Sequence, residues 1–422
     1  MPSRMPVVFL TSAGQLGGAE RSLLDMAAVL RQLRPDWPIG VIAGEEGPLA
    51  EELRRQEVPV AVLPWPEAVA RLGESFWLGA GRGKWRQGAA WSYALLKAAA
   101  ALPAYQRRLR RQLFQWRPRL LHSNGLKCHL LARGAAPPGC AVLWHLRDFL
   151  SRRPVLGRTL PYLARPPQRI LAISQAVAED ARRLFPQAAI ETIYNGIDTE
   201  HFTPAGPARN WDAFLGGASL PSAAVRVGLV ATYARWKGQE VFLEAAARLL
   251  AAGVHHARFF LIGGPIYRTA GSQFSVEELR QRIEALGLTG YCHLVPFQLD
   301  LPPVYRGLDI VVHASTQPEP FGRTIAEAMA CGRAVIASRT AGAAELMADG
   351  VDALSVPPGD AGSLAAALYR LIQDGELRQR LGQAARQTAL QRFDRRLLGQ
   401  RLVQVYEAFS RPEDAPPEGT AG

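Results

Sequence analysis

The stretch Asp309–Gly332, DIVVHASTQPEPFGRTIAEAMACG, decides how the rest of the chain is read. It opens on Asp309-Ile310-Val311-Val312-His313, a short apolar and β-branched run that reads as a buried strand. Gln317-Pro318-Glu319-Pro320-Phe321-Gly322 is a proline-broken loop. From Arg323 the pattern turns helical and ends at Gly332, where a glycine supplies the left-handed cap. Strand, loop and helix in that order put the loop at the carboxyl edge of a parallel sheet, where open α/β sheets bind ligands. The amides of Gly322, Arg323 and Thr324 then stand unpaired at a helix start and suit a phosphate. Glu319 and Glu327 flank this start, eight residues apart. Carboxylates beside a phosphate site make sense as acceptors for sugar hydroxyls, because each oxygen takes more than one donor. Together these features describe a nucleotide sugar; an ordinary surface helix with an acid near its start is the plainer alternative.

Glu-Pro-Phe-Gly-Arg-Thr-Ile-Ala-Glu-Ala-Met-Ala-Cys-Gly resembles the Glu-x7-Glu signature of retaining glycosyltransferases of family 4, which have the GT-B fold. The resemblance implies an α/β protein of two Rossmann-like, doubly wound parallel-sheet domains facing across a cleft, with a C-terminal helix crossing back to the first. It implies transfer of a sugar from a nucleoside-diphosphate donor to a glycan or lipid-linked acceptor with retention of configuration, in envelope or exopolysaccharide synthesis. Catalysis would need no metal, and the chain has no Asp-x-Asp assigned to one. In the resembled enzymes the residue at Glu319 holds sugar hydroxyls near the reacting carbon, with Phe321 and Gly322 beside it. The residue at Glu327 takes the ribose hydroxyls. A nucleotide-sugar epimerase or phosphorylase of the same fold, or a non-enzymatic binder of an anionic surface or polynucleotide, are the competing readings.

With 422 residues the chain has room for two domains. No run of apolar residues reaches the length of a membrane span. Met1 to Arg21 carries no secretory pattern, since Val7–Leu10 is too short and leads into a glycine-rich loop. Cys128, Cys140, Cys292 and Cys331 are scattered without metal-ligand spacing, which implies a reducing compartment and no structural zinc. The expected location is the cytoplasm, with peripheral contact to the inner face of the membrane as an option. A net charge of +12 calls for an acidic partner: nucleic acid, anionic lipid or a diphosphate. Lys84, Lys97, Lys127 and Lys237 are the only lysines, so a bias toward GC-rich codons is expected to account for much of the arginine excess.

Residues 1–204 read as the first domain. Strands are expected at Pro6–Thr11, Ile39–Ala43, Val58–Leu63, Leu120–Ser123, Val142–His145, Ile170–Ser174 and Ile190–Tyr194, alternating with helices. Gly14-x-x-Gly17-Gly18 after the first strand is not the dinucleotide fingerprint, and no acid follows at the required distance. It is either a tight turn or, as the resemblance implies, a place where the backbone at Gly17-Gly18 approaches the donor diphosphate or the acceptor across the cleft. Residues 73–119 form a basic, aromatic and amphipathic insertion in which Pro103 divides two helical pieces. This segment suits an anionic membrane or a lipid-linked acceptor, or is a solvated hairpin face; no nucleic-acid module accompanies it. His145 ends a strand, which places its imidazole at the cleft edge; family members often carry a His there against the transferred sugar. Tyr194-Asn195-Gly196-Ile197-Asp198 resembles the exit from the first domain, and 205–224, rich in Gly, Pro, Ala and Ser, reads as the linker.

Residues 225–394 restart the alternation, with strands at Val225–Ala231, Arg258–Ile262, His293–Val295, Asp309–His313, Ala334–Ala337 and Ala353–Val356. Lys237, before a helix from Gln239, matches the family's donor-phosphate lysine and would act in catalysis with Glu319 and His145. The arginine that usually stands five residues earlier is Thr232, with Arg235 close enough to substitute. Phe297 falls where the family lines the base pocket. Leu398, Leu402, Val405, Tyr406 and Phe409 mark the returning helix in 395–410, and 411–422 reads as a disordered tail.

Overall fold

The computed structural model describes residues 5–70, 84–153, 160, 167–212, 220–221, 223–265 and 272–410. By its internal contacts the chain divides into two compact units, Met1–Gly196 with Arg395–Gly422, and Ile197–Asp394. The division falls inside Tyr194-Asn195-Gly196-Ile197-Asp198, the segment expected to leave the first domain, and so assigns Ile197–Pro204 to the second unit.

The first unit contains seven parallel strands: β1 (Val7–Thr11), β2 (Ile39–Ala43), β3 (Val60–Val62), β4 (Leu120–Asn124), β5 (Ala141–Leu146), β6 (Arg169–Ala172) and β7 (Ile190–Thr192). Their order is β3-β2-β1-β4-β5-β6-β7. β1, β2, β4 and β5 are buried at every position, so β1 and β2 read as near-continuous apolar runs rather than as alternation, while β4 and β5 also bury His122, Ser123, Asn124 and His145. The helix Gly18–Leu33 buries Leu23, Met26, Ala27 and Leu30 on one stripe. That stripe joins a core shared with Leu398, Leu402, Val405 and Tyr406 of the helix Arg395–Glu407. The chain thus returns to the first unit with its last described helix, as the resemblance implied.

Pro103 does not divide the basic segment: one helix runs from Lys84 to Trp116 through it. Proline removes one backbone donor and strains the preceding turn. Here it sits in Lys-Ala-Ala-Ala-Ala-Leu-Pro-Ala, a run of strong helix formers, and Ala98, Tyr105, Leu109 and Leu113 pin the helix through buried contacts. The expected tail at 411–422 and the start of the insertion at 73–83 lie outside the described residues.

The second unit contains β8 (Val225–Val230), β9 (Ala257–Ile262), β10 (Cys292–Val295), β11 (Ile310–His313), β12 (Ala334–Ser338) and β13 (Leu354–Val356), all parallel, in the order β10-β9-β8-β11-β12-β13. This is the doubly wound arrangement, with its topological switch between β8 and β11. The described part of the presumed linker is fastened to this unit. Trp211 is buried against Phe260, with ring centroids 4.5 Å apart, and its Nε1 donates to the Gly307 carbonyl at 2.7 Å. The Arg306 guanidinium donates to the carbonyls of Pro207, Thr203 and Ala205. A composition rich in Gly, Pro and Ala does not show a single buried tryptophan acting as an anchor.

Candidate functional site

The switch point brings two loops together. β8 and β11 pair directly, with Ile310 opposite Val227 and Val312 opposite Leu229, so the segments leaving their carboxyl ends are neighbours. The segment after β8 makes a short 3-10 turn, Arg235–Lys237, before the helix Gln239–Ala251. The segment after β11 carries Glu319 and enters the helix Arg323–Ala330. Thr316 ties them by donating its amide and its hydroxyl to the Trp236 carbonyl, at 2.8 and 3.2 Å. Gly238 makes this approach possible. Its φ is +81°, and a Cβ there would lie 1.9 Å from the Ala314 carbonyl oxygen.

The result is a partly buried ion pair, with the Lys237 ammonium donating to Glu319 Oε2 at 2.6 Å. Ser315 Oγ donates to the same oxygen at 3.0 Å, and His313 Nε2 lies 3.2 Å from it. The loop around Glu319 is held by its own backbone, whose carbonyl accepts from the Gly342 amide at 3.0 Å and whose amide donates to Thr340 Oγ1 at 3.4 Å. Burial opposes the Glu319 charge, yet the ammonium of Lys237 and then His313 hold its carboxyl far below the usual carboxylate range. The contacts converge on Oε2; Oε1 has no donor among the described residues. The Lys237 ammonium also stands 4.0 Å from the centre of the Trp236 ring.

Gly322 starts the following helix in the left-handed region, φ +94°, ψ 56°. The first-turn amides of Gly322 and Thr324 precede any intrahelical acceptor, so the positive end of this helix begins three residues after Glu319. Glu327 is 1% exposed. Its two oxygens accept from Arg323 Nε at 2.7 Å and from the Tyr305 hydroxyl at 2.9 Å. Both acids of the Glu-x7-Glu signature are therefore buried and ordered by named partners.

The other residues expected at the site have surroundings of their own. The Arg235 guanidinium pairs with Glu278 at 2.6 Å and lies over the Phe274 ring at 4.3 Å. Phe321 is a core residue, edge-on to Phe393, and can offer a ligand only its backbone. Phe297 is 40% exposed after β10, beside Gly264, where an apolar ring face is open to a ligand.

In the first unit, Gly17 caps the helix Gly18–Leu33, and a Cβ at Gly18 would meet nothing within 4 Å. Packing therefore does not require a glycine at 18. His145 lies within β5 and is fully buried, not at the strand's edge. Its Nδ1 faces His122 Nε2 at 3.1 Å and Arg147 at 3.3 Å, and its Nε2 has no partner among the described residues. Burial, then the nearby Arg147 charge, keeps both histidines neutral by pushing their pKa values well below the ordinary range. The group that does stand at this strand's end is Arg147, which donates to Asn124, Ser22 and Asn195. Sequence reasoning passed over Arg147, His313, Ser315, Thr340 and Tyr305. The alternation His313-x-Ser315 just past a strand end was the available signal for two of them.

The arrangement gathers an ammonium, two ordered carboxylates and a helix start at the carboxyl edge of a doubly wound domain. The family model described as Glycosyl transferases group 1 matches residues 221–388, and that described as Glycosyltransferase Family 4 matches residues 16–201. The chain belongs to this glycosyltransferase family. A D-inositol 3-phosphate glycosyltransferase of Corynebacterium urealyticum is 30% identical over 239 residues, 55% of this chain and 54% of the relative. An alpha-maltose-1-phosphate synthase of Mycobacterium tuberculosis is 30% identical over 252 residues, 56% of this chain and 62% of the relative. The matches thus span somewhat more than half the length of these curated relatives. Among solved structures, Anabaena Alr3699/HepE in complex with UDP-glucose superposes with a TM-score of 0.76 at 24% identity, covering 96% of this chain and all of that one (100%). This likeness assigns the GT-B fold. Among the described residues no helix is long and apolar enough to cross a membrane.

Proposed function

We propose that the chain transfers a hexose from a nucleoside-diphosphate sugar to a glycan or lipid-linked acceptor with retention of configuration, in envelope or exopolysaccharide synthesis. The observation that carries this reading is the convergence of Lys237, Glu319 and the Gly322–Thr324 helix start at the switch point of the second unit. The titles of the HepE structures name UDP and UDP-glucose as their ligands, which supports a nucleotide-sugar donor. A relative from Rhizobium meliloti named for lipopolysaccharide core biosynthesis, 30% identical over 40% of this chain, supports an envelope acceptor.

The bond from the anomeric carbon to the donor's diphosphate oxygen breaks, the acceptor hydroxyl oxygen forms its bond on the same face, and its proton passes to the departing diphosphate. Negative charge grows on the leaving diphosphate. Lys237 and the first-turn amides meet it in a site already arranged for it, so little reorganisation is needed. Glu319, ionised and fixed through Oε2, accepts sugar hydroxyls through Oε1. Glu327 keeps lone pairs beyond those used by Arg323 and Tyr305 and receives the ribose hydroxyls. Phe297 offers its exposed face to the base. The cationic groups of the chain carry the charge without a metal, so turnover is expected to survive chelation by EDTA.

A panel of nucleoside-diphosphate sugars tests the reading, first by thermal shift and then by donor turnover. A ligand that binds only the folded form raises the apparent melting temperature. The expected result is one preferred donor, whose turnover releases nucleoside diphosphate and needs Glu319. Isomerised sugar from donor alone, or a requirement for free phosphate, would reassign the site to an epimerase or a phosphorylase.

A further inference from the structure

From Leu96 to Trp116 the helix that starts at Lys84 is buried along one side only. Ala98, Tyr105, Leu109 and Leu113 face the interior. Tyr105 stacks on Trp65 at 4.6 Å and donates its hydroxyl to the Leu63 carbonyl. On the other side Leu96, Pro103, Arg107 and Phe114 follow one another at intervals of seven, four and seven residues, which places them along one line of a helix. Leu96 is 69% and Phe114 46% exposed. Arg107, Arg108, Arg110 and Arg111 are exposed beside that line, with no acidic partner among the described residues, and the Arg110 guanidinium lies 5.9 Å from the Phe114 ring centre.

This face belongs to an unusual tract of sequence. No Asp or Glu occurs between Glu74 and Asp148, and those 73 positions carry 13 Lys and Arg. The rest of the chain has 36 Lys and Arg against 37 Asp and Glu, so the whole +12 excess is concentrated in this tract. A codon bias would add arginine throughout and leave no such concentration.

We propose that this face docks the first unit on an anionic lipid bilayer, with the helix lying in the interfacial plane. Arginines at the level of the lipid phosphates supply the attraction, and their long stems let them stay there while Leu96 and Phe114 enter the acyl boundary. A polynucleotide would use the cations and could stack on Phe114, but it gives the exposed Leu96 no task. The proposal is independent of the reaction assigned to the second unit.

The test is sedimentation of the full chain with vesicles of phosphatidylcholine alone or mixed with phosphatidylglycerol. Binding is expected only with phosphatidylglycerol, weakening as salt screens the charges. Arg107→Gln, Arg108→Gln, Arg110→Gln and Arg111→Gln combined should weaken it roughly a hundredfold or more, at about fivefold per charge near such a surface. Phe114→Ser should weaken the binding that persists at raised salt. The control removes as much charge from exposed positions of the second unit, Arg248→Gln, Arg280→Gln, Arg370→Gln and Arg380→Gln, and should bind as the parent does. Equal loss in the control, no vesicle binding by the parent, or tighter binding of a single-stranded oligonucleotide that the first combination abolishes would each overturn the proposal.

Discussion

The ammonium of Lys237 lies 2.6 Å from Oε2 of Glu319 although 82 positions separate the two in sequence. Their meeting follows from topology: each is carried by the segment leaving one of the two strands that flank the switch point. In the proposed reaction the diphosphate takes over the ammonium as charge moves onto it. Lys237→Met is therefore expected to lower kcat by about 100-fold or more, the scale on which one preorganised donor acts. Lys237→Arg should recover only part of this, because a planar guanidinium does not replace a compact ammonium against Glu319. Steady-state kinetics at saturating donor, beside melting curves that show both variants folded, make the measurement.

The same pair predicts how stability depends on pH. The Glu319 carboxyl is depressed in the folded protein, whereas in the unfolded chain it titrates near the ordinary value of about 4.3. Such a group contributes stability that is fully present above the unfolded value and fades as pH falls toward the folded one. The stability difference between the parent and Glu319→Gln should therefore be constant near neutrality and shrink from about pH 4.3 downward. Urea unfolding of both proteins across that range reads it directly. A difference that stays flat into acid would show that the lysine does not stabilise the carboxylate.

The strands were legible because most are short apolar runs, fully buried in β1 and β2, and sequence places them within two residues of their observed ends, as with Ile39–Ala43 and Val225–Val230. That Lys237 and Glu319 come to one sheet edge beside a helix start was legible because Gly238 and Gly322 mark turns of positive φ there. What failed was the direction of individual side chains. His145 was expected at an edge and is instead held inside by His122 and Arg147. Arg235 was expected on the phosphate and is drawn to Glu278, 43 positions away. Phe321 is covered by Phe393. In each case a distant partner competes for the group, and sequence spacing carries no record of that partner.

Glu327 is the acid whose loss should be felt first in folding. It is 1% exposed, and Arg323, with its side chain 11% exposed, donates to it from one turn earlier on the same helix. Removing one member of a buried ion pair leaves the other charge uncompensated, at a cost of about 3–5 kcal/mol. Glu327→Ala should show that loss in chemical denaturation. Tyr305→Phe removes only one hydrogen bond to the carboxylate and should cost about 1–3 kcal/mol. Combining Glu327→Ala with Tyr305→Phe should cost less than the two changes added together, since they act on one contact.

Gly238→Ala separates the position of the two loops from the chemistry of their side chains. The added methyl carbon would sit 1.9 Å from the Ala314 carbonyl oxygen, on a backbone whose φ of +81° already disfavours any side chain. Neither Lys237 nor Glu319 is altered, yet the segment after β8 must move away from the segment after β11. Thr316 would then lose its bonds to the Trp236 carbonyl, and the ammonium would no longer reach Oε2. Loss of catalysis comparable to that of Lys237→Met is expected, since displacement by about 1 Å can cost on the order of 100-fold. A lowered melting temperature should accompany it. Full activity in this variant would mean that the reaction does not depend on the approach of the two loops, and the role given to the Lys237–Glu319 pair would fail with it.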